Sequence, residues 1–346
     1  MLVTICPDFI SATFVPGRVV SIKDDISPGF EGIQRVETEV LRGELKNSTV
    51  TANNFISAYE GYNINVKEDK KVILQITDYG EPTQKISVKD YYRAPSLIYV
   101  LLIFLILFFL IGGWKNKKVL GALGLNIVLI IFTLLPLIKR GFPPLISTVL
   151  IVGGGICITI YIIFGPGKKF RTAVSGSIFG IFLGGILTLI TTDWLYLSGF
   201  FSREARMLLL VSRHLPGWNI TDLKGIMAAG IMVAASGAVV DIAVTITSAC
   251  KNISEQAGSI SSGRIWQAGI HVGRDIIATM LNSLILVFTG LSLPLIAVFE
   301  ILDISFYRVI NFEVFAVLIL SAIISSTAMV LTVPVTSFIS SRVFKR

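Results

Sequence analysis

Two aspartates with the same pattern of polar neighbours stand out in a chain that is otherwise rich in apolar residues. In each case a hydroxyl or amide side chain follows the acid at the fourth and at the seventh position. Residues at these spacings lie on one face of an α-helix, so each set predicts a polar stripe along a helix. The two stripes are Asp241, Thr245 and Ser248, and Asp275, Thr279 and Asn282.

An acid inside a membrane-spanning helix needs a physical reason. On translocon-insertion scales an Asp at a helix centre costs about 2.5–3.5 kcal/mol, so we expect Asp241 to face protein or water rather than lipid. Three interpretations are open: a structural pair with Arg274 that locks two helices, a titrating or ion-binding group in permeation, and an intramembrane enzyme. The enzymatic interpretation lacks any known motif, and the sequence predicts no catalytic residue, metal site or cofactor.

The elements that must position these residues are apolar helices. Of 346 residues, 53% are hydrophobic, and the mean hydropathy of +0.77 is too high for an ordinary soluble domain. A helix of about 20 apolar residues crosses the hydrocarbon core of a bilayer. Seven runs are long enough, at 96–113, 119–138, 143–164, 173–192, 225–249, 276–299 and 314–341. The predicted fold is mainly α and polytopic, with a seven-helix transmembrane domain over residues 96–346.

Charge is divided unevenly along the chain. Residues 1–95 carry eleven Lys and Arg against thirteen Asp and Glu, whereas residues 96–346 carry nineteen against nine. The excess bases flank apolar runs instead of interleaving with aromatic residues, which excludes nucleic acid as a partner. The links on one predicted side of the membrane hold twelve Lys and Arg, and those on the other side seven. The positive-inside rule then places the C-terminus in the cytoplasm and residues 1–95 outside the cell membrane.

Residues 1–95 have the pattern of a small extracytoplasmic β-domain. Runs such as RVVSI, STVTANNFI and KKVILQITDYG are rich in β-branched residues and predict four to six short strands in a barrel or sandwich. A domain outside the cell must be translocated, and MLVTICPDFISATF lacks the features of a signal peptide. We therefore expect a membrane anchor upstream of this sequence.

Small residues within the spans predict close contacts between helices, because apolar side chains gain little from burial against each other in lipid. Asn126, in the second span, is predicted to hydrogen-bond to another helix. The glycines assigned to helix packing are Gly176, Gly180, Gly184, Gly237 and Gly273.

Several stretches of the chain resemble the YibE/F-like family of bacterial multi-pass membrane proteins. The resemblance rests on SGAVVDIAVTITSA at 236–249, GRDIIATMLNSLILVFTG at 273–290, NFEVFA at 311–316 and VPVTSFI at 333–339. QRVETEVLRGELKNSTVTANNF and DYYRAPSL are similar to the family's extracytoplasmic domain. The resemblance implies a permease-like role without naming a substrate. The residues that match the family pattern are Gly237, Asp241, Ser248, Gly273, Arg274, Asp275, Thr279, Asn282, Gly290, Asn311 and Glu313.

The chain departs from the family pattern after NFE. Family members tend to have a second acid and an Arg there, followed by a Gly-Ser-Ile-Gly run, and they begin with a membrane anchor. In this chain Leu318 and SSTAM stand where the acid, the Arg and the Gly-Ser-Ile-Gly run are expected. If those family residues carry an activity, this chain performs it through other contacts.

Taken together, the sequence predicts a transporter or permease, with membrane lipids and an unknown small solute or ion as partners. The hypothesised site lies between the fifth and sixth spans and centres on the two polar stripes. Arg274 and Asp275 would gate or neutralise it from the cytoplasmic side, and Glu313 is a weaker candidate for a gate at the opposite side. The alternative is a membrane scaffold or sensor whose outer β-domain binds a protein partner.

Overall fold

The computed structural model describes residues 12–23, 32–57, 63–78, 84–114, 117–214 and 222–345. The chain forms two compact units, Met1–Gly113 and Trp114–Arg346. The first unit contains a β-barrel and one long helix, and the second contains the remaining helices.

Five strands close into a barrel in the described part of the first unit, namely β1 (Ala12–Ile22), β2 (Gly32–Val40), β3 (Thr49–Ile56), β4 (Lys71–Asp78) and β5 (Gln84–Tyr91). The strand order is β1-β2-β3-β5-β4, and β4 pairs with β1 to complete the ring. The contact between β3 and β5 is parallel and rests on one bridge, between Asn53 and Ser87. The predicted β-domain is therefore a barrel.

The barrel interior follows the two-residue period of its strands. Along β2, buried and more exposed side chains alternate, so that Val36 and Val40 point inward. They join Val19, Val72 and Leu74 in one apolar cluster. Burial of branched apolar side chains on the inner face thus accounts for the β-branched composition of this region.

Among the described residues, seven helices are long and apolar enough to cross a membrane, in agreement with the predicted number of spans. This arrangement is that of a multi-pass membrane protein. The spans are α1 (Ala94–Gly112), α2 (Lys117–Lys139), α3 (Pro144–Phe164), α4 (Lys168–Trp194), α6 (Leu223–Gln256), α7 (Ser262–Ile301) and α9 (Glu313–Val343). Two shorter helices, α5 (Arg203–His214) and α8 (Phe306–Ile310), lie between them.

Two predicted boundaries are displaced by more than five residues. The fifth span was expected to end at residue 249, but α6 ends at Gln256. The sixth span was expected to begin at residue 276, but α7 begins at Ser262. The apolar run marks only the part of a helix that is apolar enough for the hydrocarbon core of a bilayer. The backbone stays helical over the preceding polar segment because its hydrogen bonds are satisfied within the helix.

The second unit is organised around α6 and α9. Helix α6 packs against α3, α4, α7 and α9, and α9 packs against α4, α6 and α7. Over the most apolar part of each helix, 56% of residues are buried in α6 and only 11% in α7. The two aspartate stripes therefore lie on helices with very different surroundings.

Candidate functional site

Asp241 borders a cavity of about 370 Å³ in the helical unit. The cavity lies between α2, α3 and α6, and most of its wall consists of Val, Leu and Ile side chains. Four polar side chains also line it, namely Asn126, Thr159, Ser236 and Asp241. Ligand pockets in proteins typically combine an apolar wall with a few convergent polar groups, as this one does.

The packing of α6 explains why Asp241 faces this cavity. Ala238, Ile242 and Ile246 are buried in an apolar cluster with residues of α7 and α9. Successive residues of a helix are about 100° apart, so Asp241 is turned out of the face that carries Ile242. Its side chain is exposed at the cavity border near the middle of α6.

Among the described residues, no Lys, Arg or His side chain lies within ion-pair distance of the Asp241 carboxylate. Within the ranges that the structure describes, it forms neither an ion pair nor a hydrogen bond. The Thr245 hydroxyl donates to the Asp241 backbone carbonyl at 2.7 Å instead of to the carboxylate. Ser248, the third member of the stripe, is half-buried. Lys251 lies on the same helix and pairs with Glu255 at 3.4 Å.

A hydrogen bond joins α2 and α3 at the wall of the cavity, between Asn126 and Thr159. The Asn126 side-chain amide donates to Thr159 Oγ1 at 2.8 Å and to the Ala122 carbonyl at 3.0 Å. Gly155 is required at this contact, because a Cβ there would collide with Asn126 Oδ1. The predicted inter-helix bond of Asn126 is present. Its membership of the cavity, with Thr159 and Ser236, was not predicted, although a lone polar residue in each apolar run is a signal for it.

Helix α2 widens where it reaches the cavity. Residues Ile130–Leu134 form a π turn, and Ile130 lines the cavity. Pro136 lies two residues after this turn, and a proline lacks the N–H that an α-helix needs and crowds the preceding turn. Single π turns of this kind occur frequently at functional sites.

Comparison with known families fits this architecture. The model of a family described as YibE/F-like protein matches residues 100–346. The chain belongs to the YibE/F-like family. The matched region contains Asp241, Asp275 and Glu313, and it leaves the barrel strands outside. Comparison of the chain with curated proteins and with solved structures gives no match.

The second stripe of this YibE/F-like chain does not face the first. Asp275, Thr279 and Asn282 are exposed on α7, as is Arg274. The opposite side of α7 packs into the bundle, where Gly273 lies against Val333 of α9. The hypothesised meeting of the two stripes between the fifth and sixth spans is therefore not found.

Arg274 also lies away from the first carboxylate. In the described part of the chain it forms no ion pair with Asp241, or with any other acid. The structural interpretation, in which Arg274 compensates Asp241, is not supported by this arrangement. Ile276 and Ile277 pack against an apolar cluster that α6 and α9 share with α7, whereas Arg274 and Asp275 are exposed on α7.

Three of the glycines mark a close contact between α4 and α9. Gly176 lies against Thr336, Gly180 against Thr332, and Gly184 against Ala328, at matching four-residue spacings on both helices. An added Cβ would collide with the facing threonine at Gly176 and Gly180, and at Gly184 it would be in tight contact with Ala328 Cβ, at 3.2 Å. Gly237 differs, because an added Cβ would meet no described atom within 4 Å, and it lines the cavity. Of the glycines assigned to helix packing, Gly176, Gly180 and Gly184 thus lie at a contact between helices, and Gly237 lies at the cavity.

Glu313 is tied to a loop at its end of the bundle. Its carboxylate accepts hydrogen bonds from the backbone N–H groups of Ser198 at 2.7 Å and Gly199 at 2.9 Å, and from the Ser198 hydroxyl. Lys224 pairs with Asp193 in the same part of the unit. Glu313 thus holds the loop before α5 against the start of α9, and this geometry is that of a structural clamp.

Proposed function

We propose that this protein is a permease of the cell membrane that carries a small cation or a proton-coupled solute through the cavity of Asp241. The observation that supports it is a carboxylate with no described partner, at the middle of a membrane-spanning helix and at the wall of a cavity. A carboxylate at that depth is costly unless it is protonated, solvated or paired with a cation. A site that exchanges these partners is what ion-coupled transport requires.

The composition of the cavity wall narrows the substrate class. Asn126, Thr159 and Ser236 are neutral hydrogen-bonding groups, and the remaining wall is apolar. Among the described residues, no three His, Cys, Asp or Glu side chains converge on one point. We therefore infer a monovalent cation, a protonated amine or a proton as the species bound at Asp241, since one carboxylate neutralises one positive charge.

The first test measures charge movement. Purified full-length protein in liposomes on a solid-supported membrane is exposed to steps in Na⁺, K⁺, methylammonium or pH. Wild-type protein should give a current with at least one of these probes, and Asp241→Asn should abolish it. Glu255→Gln is the matched control, because it removes a carboxylate from the same helix outside the cavity. Absence of current with all four probes, or equal currents in wild type and Asp241→Asn, contradicts the proposal.

A chemical test addresses Asp241 directly. A hydrophobic carbodiimide reacts with protonated carboxyl groups in apolar surroundings, so it should label Asp241 in membranes. The probe that gives a current should slow this labelling. Mass spectrometry of the peptide around Asp241 measures both effects, with Asp241→Asn as the blank. Labelling whose rate does not depend on the probe would show that the carboxylate does not bind it.

The orientation is part of the proposal. The Lys and Arg bias of the links supports a cytoplasmic C-terminus and an outer barrel. A cysteine introduced at Lys345 should react with a membrane-impermeant maleimide only after the cells are opened. A cysteine at Glu39, in β2, should react in intact cells. The reverse labelling pattern would show that the C-terminus lies outside the cell and the barrel inside it.

The second candidate function is a membrane scaffold or sensor whose barrel binds a protein partner. Exposed Ile33 and Phe55 favour it, because they lie opposite each other on β2 and β3. Adjacent exposed apolar side chains on a small domain are a feature of interaction surfaces. Ile33→Ser combined with Phe55→Ser should leave the ion currents unchanged if the barrel has only this role. Loss of the currents with a folded barrel would show instead that the barrel takes part in transport.

A further inference from the structure

The outward face of α7 carries a regular seam of exposed side chains, of which Thr289 also borders a cavity beside α9. Six exposed residues follow one another at alternating spacings of four and three. Alternating steps of this kind give a repeat of 3.5 residues, the period at which two helices wrap around each other. The seam consists of Asp275, Thr279, Asn282, Leu286, Thr289 and Leu293.

Two polar groups of the α7 seam have no partner among the residues that the structure describes. Thr279 and Thr289 donate to backbone carbonyls of their own helix, at 3.0 and 2.8 Å. The Asn282 amide and the Asp275 carboxylate have no such bond. Polar side chains in contact with lipid are expensive, so this face needs a partner that offers donors and acceptors.

The chain's own first span does not have the chemistry to cover these groups. Residues 100–111 of α1 are all Val, Leu, Ile or Phe and offer no polar side chain. The partner must therefore supply polar groups at the depth of Asn282.

We propose that a second copy of this chain covers the α7 seam, so that the protein is a homodimer with α7 against α7. Around a twofold axis normal to the membrane, the two helices are parallel and equal residues meet at equal depth. Asn282 then lies opposite Asn282 of the second copy, and an amide can both donate to and accept from its equivalent. Leu286 and Leu293 provide apolar contacts above this pair.

The charges of α7 are complementary in the same arrangement. Arg274 directly precedes Asp275, so the guanidinium of each copy flanks the seam beside the other copy's carboxylate. The two reciprocal pairs neutralise both carboxylates where like charges would otherwise meet. The dimer leaves the Asp241 cavity untouched, because that cavity is formed by α2, α3 and α6.

Disulfide cross-linking in native membranes tests the interface. The background is the full chain with Cys157, Cys250 and Cys6 (which lies outside the described residues) replaced by Ser or Ala. Single cysteines at Asn282 or Leu286 should give, upon oxidation, a band of twice the chain's mass. Phe182→Cys, exposed on α4, is the control and should stay monomeric. Equal cross-linking at all three positions, no dimer band, or a product of another mass overturns the proposal.

A charge swap keeps the proposal testable if oxidation alone perturbs the membrane. Arg274→Asp and Asp275→Arg each place like charges across the seam, and each should lower the dimer fraction in light scattering. The double variant restores opposite charges and should recover the dimer. Asn282→Leu should raise the dimer dissociation constant by about threefold or more, given the strength of amide bonds between helices in membranes. A double variant no better than either single variant would show that the charges do not meet.

Discussion

The stripes on α6 and α7 have the same spacing of acid, hydroxyl and third polar group, yet the helices that carry them have different surroundings. In the first stripe Asp241 lines a cavity between α2, α3 and α6, on a helix that is mostly buried over its apolar part. The stripe of Asp275 faces outward on a helix that is mostly exposed. The spacing of polar residues therefore defines a helix face, and only the neighbouring helices determine what that face does.

The largest difference should appear when apolar side chains of the two helices are truncated. Ile246 of α6 is fully buried, so Ile246→Ala should lower the free energy of unfolding by about 2–5 kcal/mol through lost contacts and a new cavity. Leu291 of α7 is 69% exposed, and Leu291→Ala should change it by less than about 1 kcal/mol. Denaturant titration in detergent micelles measures both. Equal losses would mean that α7 is as well packed as α6.

Glycine substitutions should give the next largest contrast. Gly180→Ala places a methyl group against the side chains of Thr332 and Val239, and overpacking of this kind typically costs about 1–3 kcal/mol. Gly237→Ala adds a methyl group in the open cavity, and an Ala in a helix is favoured over Gly by about 1 kcal/mol. Thermal unfolding should therefore show a lower midpoint for the first variant and an equal or higher one for the second. A loss of stability in Gly237→Ala would indicate that the cavity closes.

The two amides sharpen the comparison further. Asn126 bonds Thr159 across two helices, so Asn126→Leu should destabilise the unit by about 1 kcal/mol, with a similar effect of Thr159→Val. The double variant should cost little more than either single one, since both remove the same bond. Asn282→Leu should leave the unfolding of the monomer unchanged and weaken only its association. Additive effects of the Asn126 and Thr159 changes would count against a shared bond.

The smallest effects are expected at the threonines of the two stripes. Thr245 and Thr279 both donate to carbonyls of their own helix, at 2.7 and 3.0 Å. Replacement of either by Val should therefore alter stability by no more than about 0.5 kcal/mol. Transport rates of Thr245→Val should also stay within a fewfold of wild type, because its hydroxyl serves the backbone. A large loss of transport with normal stability would place the Thr245 hydroxyl in the permeation path.

The fold could be predicted well because its signals are local. A run of apolar residues that is long enough to cross a bilayer reports a helix by itself, and alternating Val residues such as Val36 and Val40 report a strand by themselves. The end of α6 and the start of α7 were the exceptions, since Lys251 to Gln256 and Gly263 to Asp275 are helical although they contain many polar residues. Family resemblance was also carried by local motifs, and it agrees with the family match over residues 100–346.

The candidate site could be predicted only in part. Asp241 stands out in the sequence because an acid in an apolar run is rare. Its surroundings depend on α2 and α3, whose Asn126 and Thr159 lie far from it along the chain. The spacing that relates Asp241 to Asp275 suggested that both face one site, whereas Ile242 and Ile276 occupy the interface between their helices. The residues that surround Asp241 are determined by contacts between helices, and the spacing of residues within one helix does not encode these contacts.

The π turn in α2 sets the rotational phase of the helix. Ala122, Asn126, Leu134 and Ile138 recur at multiples of four residues on the side that packs against α3. In a uniform α-helix each step of four residues drifts by about 40°, so Ile138 would turn far from the face of Ala122. The wider turn at Ile130–Leu134 accommodates the extra residue and corrects much of this drift. Deletion of one residue there would leave a continuous helix, but its two halves could no longer both face α3. The number of residues in α2, as well as their identity, therefore determines whether both halves of the helix pack against α3.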